Sequence, residues 1–281
     1  MERIDEVTLD RMVDAWLAED VGRGDRTTAA VVPPEAVGRA RIEARVPAVI
    51  SGLAVAERCF ARVGGDRIKW LPEVRDGDLV ERGDVLARIE GSLAAILTAE
   101  RTALNLLQRL SAVATLTERF VAETTGTRAQ IVDTRKTTPG LRLLEKHAVV
   151  VAGGRNHRFG LDDGILVKDN HIQAAGGVTE ATRRALAGAP HGLLVEIEVQ
   201  NLDELDEAIA AGAHAVLLDN MTPDEVRSAV ERAGGRVLLE ASGGIDLATV
   251  RSFAETGIDL ISVGALTHSA PAIDLALEVE D

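Results

Sequence analysis

From residue 129 to residue 263, short apolar runs alternate with amphipathic stretches, and this rhythm leaves few folds open. The runs are 129–133 (AQIVD), 164–168 (GILVK), 193–199 (LLVEIEV), 214–219 (HAVLLD), 236–241 (RVLLEA) and 259–263 (DLISV). Helical periodicity falls between them, over 139–152, 171–187, 201–211, 223–233 and 246–256. Strand-helix-strand repetition builds a parallel sheet, because each crossover helix returns the chain to the same edge. Six runs rather than eight predict an α/β fold with an incomplete parallel βα barrel. Thr138-Pro139 and Thr222-Pro223 each predict a helix start, with Thr as the cap and Pro at the first helical position.

In such a barrel the chemistry sits at the carboxyl ends of the strands. The residues closing the six runs are Arg135 and Lys136, Lys168, Glu198, Asp219, Ser242-Gly243-Gly244, and Val263-Gly264-Ala265. From Lys168 to Gly264 the spacings are 30, 21, 23 and 22 residues, close to one βα unit each. Packing alone does not ask for cations, carboxylates and Gly turns at successive strand ends. Ser242-Gly243-Gly244, ahead of a helix expected to begin near Asp246, would leave backbone N–H groups for a phosphate, as would the turn at Gly264. Glu198 and Asp219 fall on adjacent strands, where they could hold Mg²⁺ on a diphosphate, bind ribose hydroxyls or stabilise a cationic sugar carbon. Glu196 shares the parity of Glu198 but lies deeper and reads as structural. Arg135, Lys136, His157, Arg158 and Lys168 form a donor cluster larger than one phosphate needs. Arg suits bidentate carboxylate binding and Lys acts as a point charge. His171 reads as a helix-capping residue, and Arg101, beside Glu100 on a long helix, reads alone as an ordinary solvated side chain.

The rest of the sequence bounds the class. The formal net charge is −14, yet residues 133–171 hold seven Lys or Arg against five acids. A cationic island in an acidic chain suits a small anionic ligand and disfavours a nucleic-acid or membrane surface. There is no Tyr and aromatics are 2%, so stacking platforms for bases are lacking. The one cysteine, Cys59, excludes an internal disulfide and a Cys-based zinc site. The opening MERIDEVTLD is too polar for a signal peptide, and no run of eighteen apolar residues appears, so a cytoplasmic location is expected. Ahead of the barrel, 10–20 and 52–63 read as helices, 39–50 as a strand, and 73–90 as short strands joined by Asp-Gly turns. Residues 93–122 form the longest helix, broken near Gly126.

Particular blocks carry a resemblance. DTRKTTPGLR (133–142), VAGGRNHR (151–158), KDNHI (168–172), EIEV (196–199), LLDN (217–220), ASGGI (241–245) and SVGALTHS (262–269) stand in the order found in quinolinate phosphoribosyltransferases. EDVGRGDRTT (19–28) and ERTALNLL (100–107) extend the likeness across most of the chain. The sequence therefore resembles that family of type II phosphoribosyltransferases. The resemblance implies an N-terminal α/β sandwich domain, placed at 1–110, and an open barrel at 111–269, with the tail 270–281 returning to the first domain. It implies transfer of phosphoribose from 5-phosphoribosyl 1-diphosphate to quinolinate with loss of CO₂, Mg²⁺ as cofactor, and a homodimer that shares its active site. Arg135, His157, Arg158 and Lys168, with Thr134 beside them, would bind quinolinate, joined by Arg101 from the neighbouring subunit. Lys136, Glu198 and Asp219 would carry the chemistry on the donor, with Glu198 and Asp219 nearest the metal. Ser242, Gly243, Gly244, Val263, Gly264 and Ala265 would bind the 5′-phosphate. Rival readings are a relative with another acceptor, disfavoured by Lys168-Asp169-Asn170-His171, and a non-catalytic metabolite sensor, disfavoured by the carboxylates at 198 and 219. A type I phosphoribosyltransferase needs two adjacent acids where LLDN has one.

Overall fold

The computed structural model describes residues 5–280; the first four residues of the opening polar segment lie outside the described residues. The chain divides into two compact units. The first contains residues up to Thr115, Leu143–Ala152 and the segment from Ala270 onward; the second contains Leu116–Arg142 and Gly153–Ser269.

In chain order the elements are α1 (Glu6–Val21), α2 (Arg26–Val31), β1 (Val37–Ala44), β2 (Ala48–Val49), α3 (Leu53–Gly64), β3 (Ile68–Pro72), β4 (Leu79–Val80), β5 (Val85–Ser92) and α4 (Leu93–Glu123). Then come β6 (Gln130–Val132), α5 (Arg142–Val151), β7 (Ile165–Val167), α6 (Asp169–Ala175), α7 (Val178–Gly188), β8 (Val195–Val199), α8 (Leu202–Ala210) and β9 (Ala215–Asp219). The chain closes with α9 (Pro223–Ala233), β10 (Leu238–Ser242), α10 (Val250–Ala254), β11 (Leu260–Ser262), α11 (Ala265–His268) and β12 (Leu275–Glu280).

The first unit is built on an antiparallel sheet in the order β12-β1-β5-β3. The strand expected over 39–50 is two pieces. The chain bends at Arg45-Val46-Pro47, where proline cannot donate to a ladder. Ile42, Leu86 and Ile89 are fully buried, as is Phe60 of α3, which stacks on Trp70 at 5.6 Å. Cys59 is buried and free, and burial pushes its thiol up to about 12, so it packs as a small apolar residue. The last strand, β12, pairs antiparallel with β1, and this fixes the chain's end in the first unit's sheet.

The second unit holds the parallel sheet, ordered β6-β11-β10-β9-β8-β7. All six expected strands are present within a residue or two of their predicted bounds. Ends β6 and β7 do not pair with each other, so the barrel is open; at β6 a single bridge, Val132 to Arg155, extends the ladder. Three helix expectations fail. Pro139 does not start a helix: Leu141 N–H bonds to the Thr138 carbonyl at 3.0 Å and Gly140 takes φ +83°, a Pro-Gly turn, so α5 begins at Arg142. The stretch 171–187 is broken at Gly176 and Gly177, both at positive φ, into α6 and α7. The helix expected at 246 begins at Val250, because the Asp246 carboxylate accepts from the N–H groups of Ala248 and Thr249 and closes a turn first. Thr222-Pro223 behaves as expected, with Thr222 capping α9 and Glu225 completing a capping box.

Gly91 is the most constrained glycine of the first unit. It sits at φ +137°, and a Cβ there would lie 1.9 Å from the Arg67 carbonyl oxygen. Gly91→Ala is therefore expected to cost at least about 2 kcal/mol through backbone strain and displacement of β3. Urea unfolding checks it; a variant as stable as the parent would show that β3 and β5 have slack there.

Candidate active site

Strand periodicity decides what the barrel interior contains. Leu166, Glu196, Glu198, Leu217, Asp219, Glu240, Ser242 and Ser262 share the inward parity of β7 to β11. At the carboxyl ends they open into a cavity of about 730 Å³ lined also by Thr134, Arg135, Lys136, His157, Arg158 and Lys168. Ser242, Gly243, Gly244, Val263, Gly264 and Ala265 complete the wall. Every expected site residue lines this cavity except Arg101, which is carried by α4 in the first unit, is exposed, and approaches Glu100 at 3.6 Å.

The cationic wall is set by Asp133, which is fully buried where β6 ends. Its carboxylate accepts from the Asn156 amide at 2.6 Å and the His157 N–H at 2.9 Å. That holds the 155–158 segment against the open edge of the sheet. Arg158 is further fixed by a 2.8 Å bond to the Gly164 carbonyl. Arg142 donates to Thr137 at 2.9 Å and to the Phe159 carbonyl at 2.8 Å, bracing the loop that carries Arg135 and Lys136. Burial, and then the charge of Arg135, push the Arg158 guanidinium below its ordinary value, with Glu196 opposing. Arg135 Nε is buried and has no partner among the described residues. An unpaired buried donor costs about 1–3 kcal/mol, so this wall is shaped for an acceptor that the chain does not supply.

Lys168 reaches Glu198 at 3.1 Å, which joins the cationic wall to the carboxylate side. Asp219 accepts from the Asn220 amide at 2.8 Å. Asp219 does not cap the helix that follows, because Thr222 caps α9. The N–H groups of Gly243 and Gly244 have no partner among the described residues. Both glycines are at positive φ, and a Cβ at 243 would meet Asn220 Oδ1 at 2.2 Å. A Cβ at Gly264 would touch the Lys136 side chain at 3.0 Å. The glycines keep the backbone accessible to a ligand, as a phosphate cradle requires. His171 bonds back to the Lys168 N–H at 3.0 Å, in keeping with a helix-start residue.

Sequence reasoning missed Glu240, Asn220 and His268, all of which line the cavity. A glutamate inside the apolar run RVLLEA, at the parity of Ser242, was the available signal for Glu240. It is almost fully buried, and Oε1 has no partner among the described residues. Glu196 Oε2 lies 3.0 Å and Glu240 Oε2 3.7 Å from His157 Nε2. Among the described residues this is the one trio of such groups spaced to hold a metal. Its hydrogen bonds argue otherwise. The Arg158 N–H donates to His157 Nδ1 at 2.7 Å, so Nε2 carries the hydrogen and donates to Glu196. It has no lone pair to offer. Burial, then the Glu196 charge, push the Glu240 carboxyl up to about 8.

An open βα barrel whose mouth joins a cationic wall, two carboxylates and Gly turns suits a phosphorylated anionic ligand. The particular family follows from comparison. Residues 25–111 match the model of the quinolinate phosphoribosyl transferase N-terminal domain, and residues 113–278 that of the C-terminal domain. The chain is 40% identical over 276 residues to the probable nicotinate-nucleotide pyrophosphorylase [carboxylating] of Bacillus subtilis, covering 98% of this chain and 95% of that protein. It is 44% identical over 268 residues to the nicotinate-nucleotide pyrophosphorylase [carboxylating] of Mycobacterium leprae, covering 94% of each. The solved nicotinate-nucleotide pyrophosphorylase of Francisella tularensis superposes with a TM-score of 0.94 at 39% identity, over 99% of this chain and 98% of that one. The chain belongs to the quinolinate phosphoribosyltransferase family.

The buried acid gives a stability prediction. Glu240 keeps its proton after an unfolded glutamate, near 4.5, has lost it. The folded state then binds more protons, so stability falls as pH rises from there to about 8 and levels beyond. Glu240→Gln lacks this penalty, and its melting temperature should pull ahead of the parent's across that window. A gap that narrows with rising pH would mean that Glu240 is ionised in the fold.

Proposed function

We propose that this chain transfers phosphoribose from 5-phosphoribosyl 1-diphosphate to quinolinate, releasing diphosphate and CO₂ and forming nicotinate mononucleotide for NAD biosynthesis. Its family membership supports the reaction class. The single observation that carries the acceptor is the convergence of Arg135, Arg158 and Lys168 on one cavity wall, with a buried guanidinium nitrogen unpaired. One carboxylate would not need so many donors, whereas pyridine-2,3-dicarboxylate does. No observation favours the sensor reading, since both carboxylates, Glu198 and Asp219, face the cavity.

The residues then divide the work. Gly243, Gly244 and the turn at Gly264 take the 5′-phosphate on free N–H groups and a helix start. Lys136, on the lip of the cavity beside Gly264, neutralises the departing diphosphate. Glu198 and Asp219 face the sugar carbon as it becomes oxocarbenium-like, and their fixed charge stabilises that state. The pyridine nitrogen bonds to that carbon as the bond to diphosphate breaks. With the ring now cationic, the C2 carboxylate leaves as CO₂, and its electron pair stays at C2 beside N⁺ until a proton is taken up there. The cationic wall holds both carboxylates in place until then.

The donor set also suits Mg²⁺. Glu198 and Asp219 offer hard oxygen ligands, and no third carboxylate is spaced with them to complete a protein cage among the described residues. An ion that arrives on the diphosphate with its waters needs no more than one or two protein ligands. Glu198 and Asp219 would hold it, and its charge would ease departure of the diphosphate. Arg101, exposed on α4, would reach the quinolinate of a partner subunit in a homodimer. Among the described residues no helix is long and apolar enough to cross a membrane. We place the reaction in the cytoplasm, where Cys59 stays a free thiol.

CO₂ release from labelled quinolinate should depend on both the phosphoribosyl donor and Mg²⁺, and nicotinic acid should fail as acceptor; equal use of nicotinic acid would refute the assignment. Lys136→Ala and Glu198→Ala should each lower kcat by at least about 100-fold with little change in melting temperature, and parent-like turnover in both would remove them from the chemistry. Arg101→Ala should weaken quinolinate binding about tenfold or more. Mixing it with inactive Lys136→Ala should restore activity if sites are shared across subunits, and no rescue would argue for sites made by one chain.

A further inference from the structure

Beneath the cationic wall lies a layer of acids that the reaction scheme does not use. His157, Glu196 and Glu240 meet inside the barrel, and His157 and Glu240 line both the main cavity and a second one of about 290 Å³. The second cavity opens among Ile165, Leu194, Ala215, Leu238 and Leu260, residues at the amino ends of their strands. The trio therefore forms the floor between the two. Glu240 is almost fully buried, its Oε1 has no partner, and no Lys or Arg is bonded to it among the described residues, so its ionised form is disfavoured. Four groups face Glu240: Glu196 from β8, His157, Asp133 from the end of β6, and Ser262 from β11. Two of the four are acids, so ionising Glu240 would add charge where charge of the same sign already stands.

We propose that Glu240 is a positioning residue that works as a neutral carboxyl, so that His157 is held as its Nε2–H tautomer against Glu196 under the acceptor wall. Glu196 accepts the His157 hydrogen, the Arg158 N–H fills Nδ1, and the ring cannot rotate without losing both bonds. Arg158 follows His157 in the chain, so the same floor sets the acceptor's guanidinium. A negative charge on Glu240 would draw Arg158 inward, away from the substrate carboxylates. This rests on the acceptor being quinolinate, but the tautomer can be read without it.

The test uses the whole enzyme. Glu240→Ala should raise the KM for quinolinate at least about tenfold while leaving that for the phosphoribosyl donor within about twofold. Glu240→Gln, which keeps the shape and a donor hydrogen, should recover most of that loss. In the parent, kcat/KM for quinolinate should fall about fivefold or more between roughly pH 7.5 and 9.5 as the Glu240 proton leaves. Glu240→Gln should lack that limb. Failure of Gln to rescue, or an unchanged alkaline limb in the Gln variant, would overturn the proposal. Imidazole ¹⁵N spectra of the substrate-free parent should show His157 as the Nε2–H tautomer at pH 7, and a doubly protonated ring would also overturn it. If that tautomer is found and quinolinate is nonetheless not turned over, the acceptor assignment fails and the positioning role stands.

Discussion

The structure is organised around a repulsion that Glu196 only partly relieves. Burial, and then the charge of nearby Arg135, make the charge on Arg158 less favourable. Lys168 leans on Glu198. The scaffold imposes this arrangement through neutral or buried contacts: Asp133 on the 155–158 segment, the Gly164 carbonyl on Arg158, and Arg142 on the preceding loop. A parallel sheet can tolerate such a cost at its carboxyl edge, because the strands below are packed with Val, Leu and Ile. An anionic ligand with several charges relieves the strain on binding, so part of its affinity comes from charge the scaffold has already gathered.

Below that wall the barrel interior changes character from cationic to acidic within one residue layer. Glu198 and Glu196 are two positions apart on β8, yet one reaches the open cavity beside Lys168 and the other the buried imidazole. The same alternation separates Ser242 from Glu240 on β10. Strand pleating thus stacks two different electrostatic layers in one lumen without any additional element.

The strands and their end residues were legible because both depend on local pattern. A run such as HAVLLD is apolar because it is buried, and Asp219 ends it because the next residue meets the cavity. Helix starts were less legible. Pro139 and Asp246 each satisfy a helix-start rule, but the glycine next to Pro139 and the side chain of Asp246 itself favour turns, and in this fold the turn wins. Glu240 escaped notice for a different reason. A single acid inside an apolar run looks like noise until neighbouring strands bring Glu196 and His157 beside it, and that proximity is tertiary.

The two sides of the cavity are built from different material. The cradle at Gly243 and Gly244 is main chain, and its shape is locked to Asn220, the one non-glycine residue at positive φ among those described. Side chains could not be added there without displacing the neighbouring loop. The acceptor wall is instead made of long side chains on a frame that holds their backbones still. On the function proposed above, a change of acceptor would be open to redesign by substitution at a few positions, whereas the grip on the sugar phosphate would have to be rebuilt as a loop. The barrel is in this sense a fixed handle with an exchangeable jaw.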